Sequence, residues 1–139
     1  QKENYVVAAL AKRMLLARQI GHSEITVGNL AAIRDFTDVR DVVRAYRLIL
    51  TKGEGGNVYN VCSGTGRKIL DLATALLSRI DFELELKIDP KLHRPSDTPV
   101  LVGDYSKLHK QTSWEPHIEF EQTIEDTIES TKALITEER

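Results

Sequence analysis

The chain has 139 residues, of which 41% are hydrophobic and 29% charged, with a formal net charge of −2. That length and apolar content suit one domain with its own core, and a near-neutral, sign-mixed charge excludes nucleic acid as the main expected partner. No apolar run approaches the roughly 20 residues of a spanning helix, so no membrane association is expected.

The first element is a helix from Tyr5 to Ile20, with Val6, Leu10, Met14 and Ala17 on one side and Gly21 as its left-handed stop. Glu24 to Val27 reads as a short strand ended by Gly28. Arg34 to Asp38 reads as an irregular, charged lead-in to the most strongly patterned helix. There Val39, Val42, Val43, Tyr46, Ile49 and Leu50 mark one apolar face, expected to be the core face. Asp38 is the expected N-cap, and Asp41, three residues on, completes a capping-box-like pair. Arg40, Arg44 and Arg47 read as a solvated basic stripe.

Lys52 to Asn57 is a glycine-rich turn. Val58 to Cys62 is the clearest strand by composition, rich in β-branched and aromatic residues. Ser63-Gly64-Thr65-Gly66 leads into a second amphipathic helix, Ile69 to Ile80. Leu84 to Ile88 alternates as a half-buried strand does. Pro90 to Pro99 is a proline-bearing loop, followed by a short apolar run, Val100 to Val102. Tyr105 to Gln111 reads as a short helix capped by Ser106 and stopped at Trp114-Glu115-Pro116, and Phe120 to Thr136 as a terminal helix. Strands alternate with helices, so the expected class is α/β.

Three features carry chemical interest. Gly64-x-Gly66 lies between a strand and a helix, where amides can cradle phosphate. The third glycine of a dinucleotide fingerprint is replaced by Ile69 and the Walker pattern is absent, so an ordinary turn is the competing reading. Arg94-Pro95-Ser96-Asp97 is a proline-stiffened loop that could hold a guanidinium for a phosphate. The alternative there is a surface loop with a local Arg–Asp pair. Cys62 ends an expected buried strand with no histidine near it in sequence, which favours a packed small residue over a nucleophile. As the single cysteine it fits a reducing, cytoplasmic compartment, and the scattered His22, His93, His109 and His117 give no metal-ligand spacing, so no metal is expected.

In order along the chain stand Gly28-Asn29-Leu30, Arg34 to Asp41, Val58 to Gly64, Arg94 to Asp97, Trp114-Glu115-Pro116 and Phe120 to Thr123. Together they resemble the C-terminal half of extended short-chain dehydrogenase/reductases of the NAD-dependent epimerase/dehydratase type that act on nucleotide sugars. The GDP-4-dehydro-6-deoxy-D-mannose reductase and GDP-mannose 4,6-dehydratase branch is the nearest, and the resemblance covers essentially the whole chain. It implies an α/β substrate-binding part, plus the last strand and helix of a Rossmann-type sheet (Val58 to Cys62 and Ile69 to Ile80), lacking the N-terminal dinucleotide-binding part.

The resemblance implies further that Arg34 and Arg94 grip the substrate diphosphate, that Asp97 faces the ribose, and that Val27 and Asn29 lie near the base. The parent protein would use NAD or NADP, with no cofactor held by this segment alone. The family's Tyr-x-x-x-Lys is not found: Ala9, Leu50, Ser63 and His109 stand four residues beyond the tyrosines. This segment is therefore expected to be inactive alone. A stand-alone nucleotide-sugar binding module is the other reading, and a fragment that merely keeps the fold a third. Where the family usually has Gly-Trp, this chain has Ser113-Trp114. Without the Rossmann half as partner, exposed strand edges and helix faces predict self-association.

Overall fold

The computed structural model describes residues 5–92 and 98–137. Its elements in chain order are α1 (Val6–Ile20), β1 (Glu24–Val27), β2 (Ile33–Asp35), α2 (Val39–Lys52), β3 (Gly66–Lys68), α3 (Ile69–Leu77), β4 (Glu85–Ile88), β5 (Val100–Leu101), α4 (Ser106–Thr112) and α5 (Phe120–Glu137), with a 3-10 turn at Pro90–Leu92. The class is α/β, as expected. The chain divides into two compact units: Gln1–Ala32, Lys68–Asp97 and Glu121–Arg139 form the first, Ile33–Arg67 and Thr98–Phe120 the second.

The first unit follows its local signals closely. α1 buries Leu10, Ala11, Met14, Leu15 and Ala17, and stops at Gly21 with φ of 73°. Only a residue without Cβ adopts that conformation cheaply. β1 pairs in parallel with β4, Glu24 opposite Glu85 through Val27 opposite Ile88. Glu24 and Lys87 form an ion pair across it, and the Arg13 guanidinium donates to the Thr26 carbonyl, tying α1 to β1. α3 buries Ile69, Leu72, Ala73 and Leu76. It ends three residues earlier than its apolar pattern predicts, yet Ile80 stays in the core because turns at Ser78 to Ile80 keep it turned inward. α5 adds Ile124, Ile128 and Ile135.

The second unit departs from the sequence reading in several places. Arg34 and Asp35, the start of the Arg34 to Asp38 stretch expected to be irregular, join Ile33 in β2, which pairs in parallel with β5 (Ile33 with Val100, Arg34 with Leu101) and lies between β3 and β5. Three residues carry no periodicity worth reading, so the ladder decides this strand and the local sequence does not.

α2 forms where expected and Asp38 caps it, its Oδ1 accepting the Arg40 amide at 2.9 Å. Only part of the expected core face turns inward: Val42 and Ile49 are half-buried, and Ile49 packs on the core. Val39, Val43, Tyr46 and Leu50 are 69%, 59%, 58% and 87% exposed, whereas Asp41 and Ala45 are buried. Ala45 joins Leu108 and Trp114 in the core, with Leu48, Ile49, Tyr59, Val61 and Tyr105 packed around them.

Asp41 does not complete a capping box. Its Oδ2 accepts the amides of His117 and Ile118 at 3.0 and 2.9 Å, and its Oδ1 accepts Arg44 at 2.7 Å. Arg44 is correspondingly not a solvated stripe residue. It also donates to the Glu115 carbonyl and lies 5.6 Å from the centre of the Trp114 ring. Arg40 is tied back to Asp38 by a bidentate pair.

Residues 58–62 are extended but belong to no ladder among the described residues. α4 begins at Ser106 and is preceded by Tyr105. The helix start is held by Asp104, whose Oδ1 accepts the Ser106 amide at 2.8 Å, a bond that also lowers the Asp104 carboxyl from its ordinary value.

α4 stops at Ser113, which has φ of 59° and is the non-glycine residue in the left-handed region among those described. The glycine usual at this point of the family pattern would sit there without its Cβ penalty. Ser113→Gly is expected to raise stability by about 1 kcal/mol, read as a shift in the urea midpoint at unchanged slope. A lowered midpoint would show that the Ser113 side chain contributes more than its backbone costs.

Candidate functional site

The second unit holds a cleft of about 530 Å³ bordered by Arg34–Asp35, Tyr59–Cys62 and Leu101–Gly103. β2 brings Arg34 and Asp35 to it from adjacent positions, and strand geometry turns such neighbours to opposite faces. The Arg34 Nη1 donates to the carbonyls of Ile33 and Thr98 at 2.7 and 2.8 Å. Thr98 directly follows Asp97 in the sequence and precedes β5.

Asp35, to which the sequence reading assigned no role, is the organising group. Its Oδ1 accepts the Ser63 amide at 2.8 Å and the Ser63 hydroxyl at 2.5 Å. Its Oδ2 accepts the amides of Gly64 and Gly103 at 2.9 and 3.1 Å. One carboxylate thus closes the turn after residue 62 and fixes the segment after β5. Its signal in the sequence is indirect: a turn with two outward amides, Ser63 and Gly64, needs an acceptor.

The same bonds decide the Gly64-x-Gly66 question. The amides that would cradle a phosphate already hold a carboxylate, and β3 intervenes before α3 begins. The turn therefore does not fit a dinucleotide pyrophosphate. Gly103 is required by space: a Cβ there would stand 2.5 Å from the Cys62 sulfur.

Cys62 is buried, and burial, helped by the Asp35 charge, pushes its thiol up from the ordinary value, against a smaller opposing effect of the Gly64 amide. Its thiolate is disfavoured, which is the behaviour of a packed cysteine. Tyr59 is the tyrosine of the cleft. Its hydroxyl accepts the Glu54 amide at 3.0 Å, and Lys107 lies 5.1 Å from its ring while donating to Asn57.

The other predicted site residues are distributed as follows. Val27, in the first unit, is 2% exposed, and its carbonyl accepts the Asp89 amide at 2.9 Å. Asn29, in the same unit, turns the chain by accepting the Ala31 amide on its Oδ1 at 3.0 Å. Arg94 and Asp97 lie outside the described residues. No group of three or more metal-ligating side chains is found among the described residues, and no described helix is long and apolar enough to cross a membrane.

The chain is similar to enzymes of sugar nucleotides. The family model described as GDP-mannose 4,6 dehydratase matches residues 1–127. GDP-6-deoxy-D-mannose reductase of Pseudomonas aeruginosa is 34% identical over 139 residues, covering 99% of this chain and 46% of that protein. The structure of RMD from Pseudomonas aeruginosa complexed with NADPH superposes with a TM-score of 0.86 at 33% identity, over 96% of this chain and 44% of that one. UDP-glucose 4-epimerase of Thermotoga maritima, solved with UDP-glucose, gives a TM-score of 0.83 at 29% identity, over 94% and 40%. The chain spans about half the length of these relatives.

Proposed function

This chain belongs to the GDP-mannose 4,6 dehydratase family, and from that premise we propose that it is the nucleotide-sugar binding portion of a cytoplasmic, NAD(P)-dependent GDP-sugar reductase of the GDP-4-dehydro-6-deoxy-mannose type. The observation that carries this reading is the match along 99% of the chain to GDP-6-deoxy-D-mannose reductase. Arg34 and Arg94 bind the substrate diphosphate, Asp97 faces the ribose, and Val27 and Asn29 lie near the base. Two guanidinium groups from separate loops orient a diphosphate as well as attract it. In support, the Arg34 head is held at Thr98, four residues along the chain from Arg94.

The redox chemistry belongs to the remainder of the parent protein, which supplies NAD or NADP and the tyrosine–lysine pair. A GDP-mannose 4,6-dehydratase portion is the second reading, favoured by the family model itself. Both readings predict the same nucleotide.

Calorimetry of the 139-residue chain with GDP, GDP-mannose and UDP tests the proposal. GDP and GDP-mannose should bind more tightly than UDP. Arg34→Ala should weaken GDP binding by on the order of 10- to 100-fold, the worth of a charge-assisted hydrogen bond, and Arg34→Ala with Arg94→Ala by more. Absence of binding by the folded chain, or equal binding by the double variant, would overturn it.

A further inference from the structure

The stretch from Thr98 to Gly103 is tied to β2 at both ends. At its start the Arg34 Nη1 donates to the Thr98 carbonyl at 2.8 Å, and the Ile33 amide donates to the Pro99 carbonyl at 2.8 Å. At its end the Gly103 amide donates to the Asp35 Oδ2 at 3.1 Å. Between these ties lies β5, two residues long, with Val100 and Leu101 54% and 60% exposed. So short and exposed a strand gains little from burial, and its place beside β2 depends on the bonds at its ends.

Asp35 holds the downstream end from two sides. Besides Gly103, its Oδ2 accepts the Gly64 amide at 2.9 Å, and its Oδ1 accepts the amide and hydroxyl of Ser63. Hydrogen bonds to an ionised carboxylate are the stronger kind, and four of them leave the side chain one position. β2, the turn at residues 63–64 and the segment after β5 are thereby joined at a single group.

We propose that Asp35 is a positioning residue for Arg34. By holding Gly103 against β2 it keeps β5 in register, and with β5 the Thr98 carbonyl that orients the guanidinium. The two side chains leave β2 on opposite faces, so the carboxylate acts on the guanidinium through the backbone that both hold. The assignment stands on this geometry. Its consequence for binding rests on the reading of Arg34 as a ligand of the nucleotide diphosphate. A guanidinium that is not ordered beforehand must be ordered by the ligand, and the affinity falls by that cost.

The test uses the 139-residue chain and two measurements. The first is the heteronuclear NOE of the Arg34 Nε–H by NMR, with the Nε–H of Arg44, which is held by Asp41, as reference. Asp35→Ala should lower it at Arg34 and leave Arg44 unchanged. The second is calorimetry with GDP. Asp35→Ala should weaken binding about tenfold, the cost of ordering one long side chain, and should cost nothing further in an Arg34→Ala chain. Asp35→Asn keeps one oxygen for the Gly64 and Gly103 amides and should lose only about threefold. If Asp35→Ala does not fold, that threefold loss, abolished by Arg34→Ala, carries the test. An unchanged Arg34 NOE, an equal drop at Arg44, or an equal loss of GDP affinity with and without Arg34 would overturn the proposal. Loosening of Arg34 in a chain that binds no GDP would sink the nucleotide-sugar reading alone. GDP binding that Arg34→Ala weakens and the Asp35 variants leave untouched would sink the positioning role alone.

Discussion

Asp41→Ala lowers the stability of the second unit by about 3 kcal/mol, as followed in urea through the fluorescence of Trp114, the chain's single tryptophan. The carboxylate is 2% exposed and joins α2 to the segment after Trp114 through the amides of His117 and Ile118. Truncation leaves those two donors and the Arg44 guanidinium without their acceptor. The loss exceeds the value of the bonds themselves because buried donors stay dry.

Burial pushes the Asp41 carboxyl upward. The Arg44 hydrogen bond, the amides of Ile118 and His117 and the Arg44 charge together outweigh it, so its pKa lies below the ordinary 3.8. A depressed folded-state pKa contributes stability that is fully present above the unfolded value and is lost as pH falls through the folded one. Wild-type stability should therefore fall below pH 3.8, and Asp41→Asn should show a lower plateau with a shallower acid slope. An Asp41→Asn profile parallel to wild type would show that other carboxylates govern the acid limb.

Trp114→Ala has the largest expected single effect, about 3–5 kcal/mol, measured by circular dichroism against urea. The indole is fully buried, stacks edge-on against Tyr105 at 5.5 Å, and donates its Nε1–H to the Asp41 carbonyl at 3.0 Å. Its own amide is received by the Thr112 hydroxyl, and its carbonyl lies 3.1 Å from the His109 Nδ1. Trp114→Phe should lose less, since it keeps the ring contact and gives up only the indole donor.

Because Trp114 and Asp41 share one network, the double alanine variant should lose less than the sum of the singles. Additivity within about 0.5 kcal/mol would mean the two act independently and the network is only geometric. Asp41 and the Trp114-Glu115-Pro116 motif meet through these bonds. The carboxylate of one receives the amides that follow the proline of the other.

By itself the sequence determined the α/β class, the family resemblance and nearly all of the first unit. Helices α1, α3 and α5 and strand β1 are written in local periodicity, because each buries one face against neighbours within the same unit, whereas β4 forms where expected with only Leu86 half-buried. It also identified the Asp38 cap, which depends on the residues immediately around it.

Only the tertiary structure decided the orientation of α2, the strand β2 and the role of Asp35. An amphipathic period says that a helix has two faces. It does not say which one the available partners will cover. Here the Asp41–Arg44–Trp114 network holds Asp41 and Ala45 inward, so Val39, Val43, Tyr46 and Leu50 of the expected core face turn out while Val42 and Ile49 stay half-buried. β2 exists because β5 and β3 lie beside it, although its three residues have no pattern of their own. Residues 58–62 show the converse: strong strand composition without a ladder among the described residues, since hydrogen bonds between strands require a neighbour that composition cannot supply. Asp35 gathers amides from positions 63, 64 and 103, and only the folded chain brings those positions to one carboxylate.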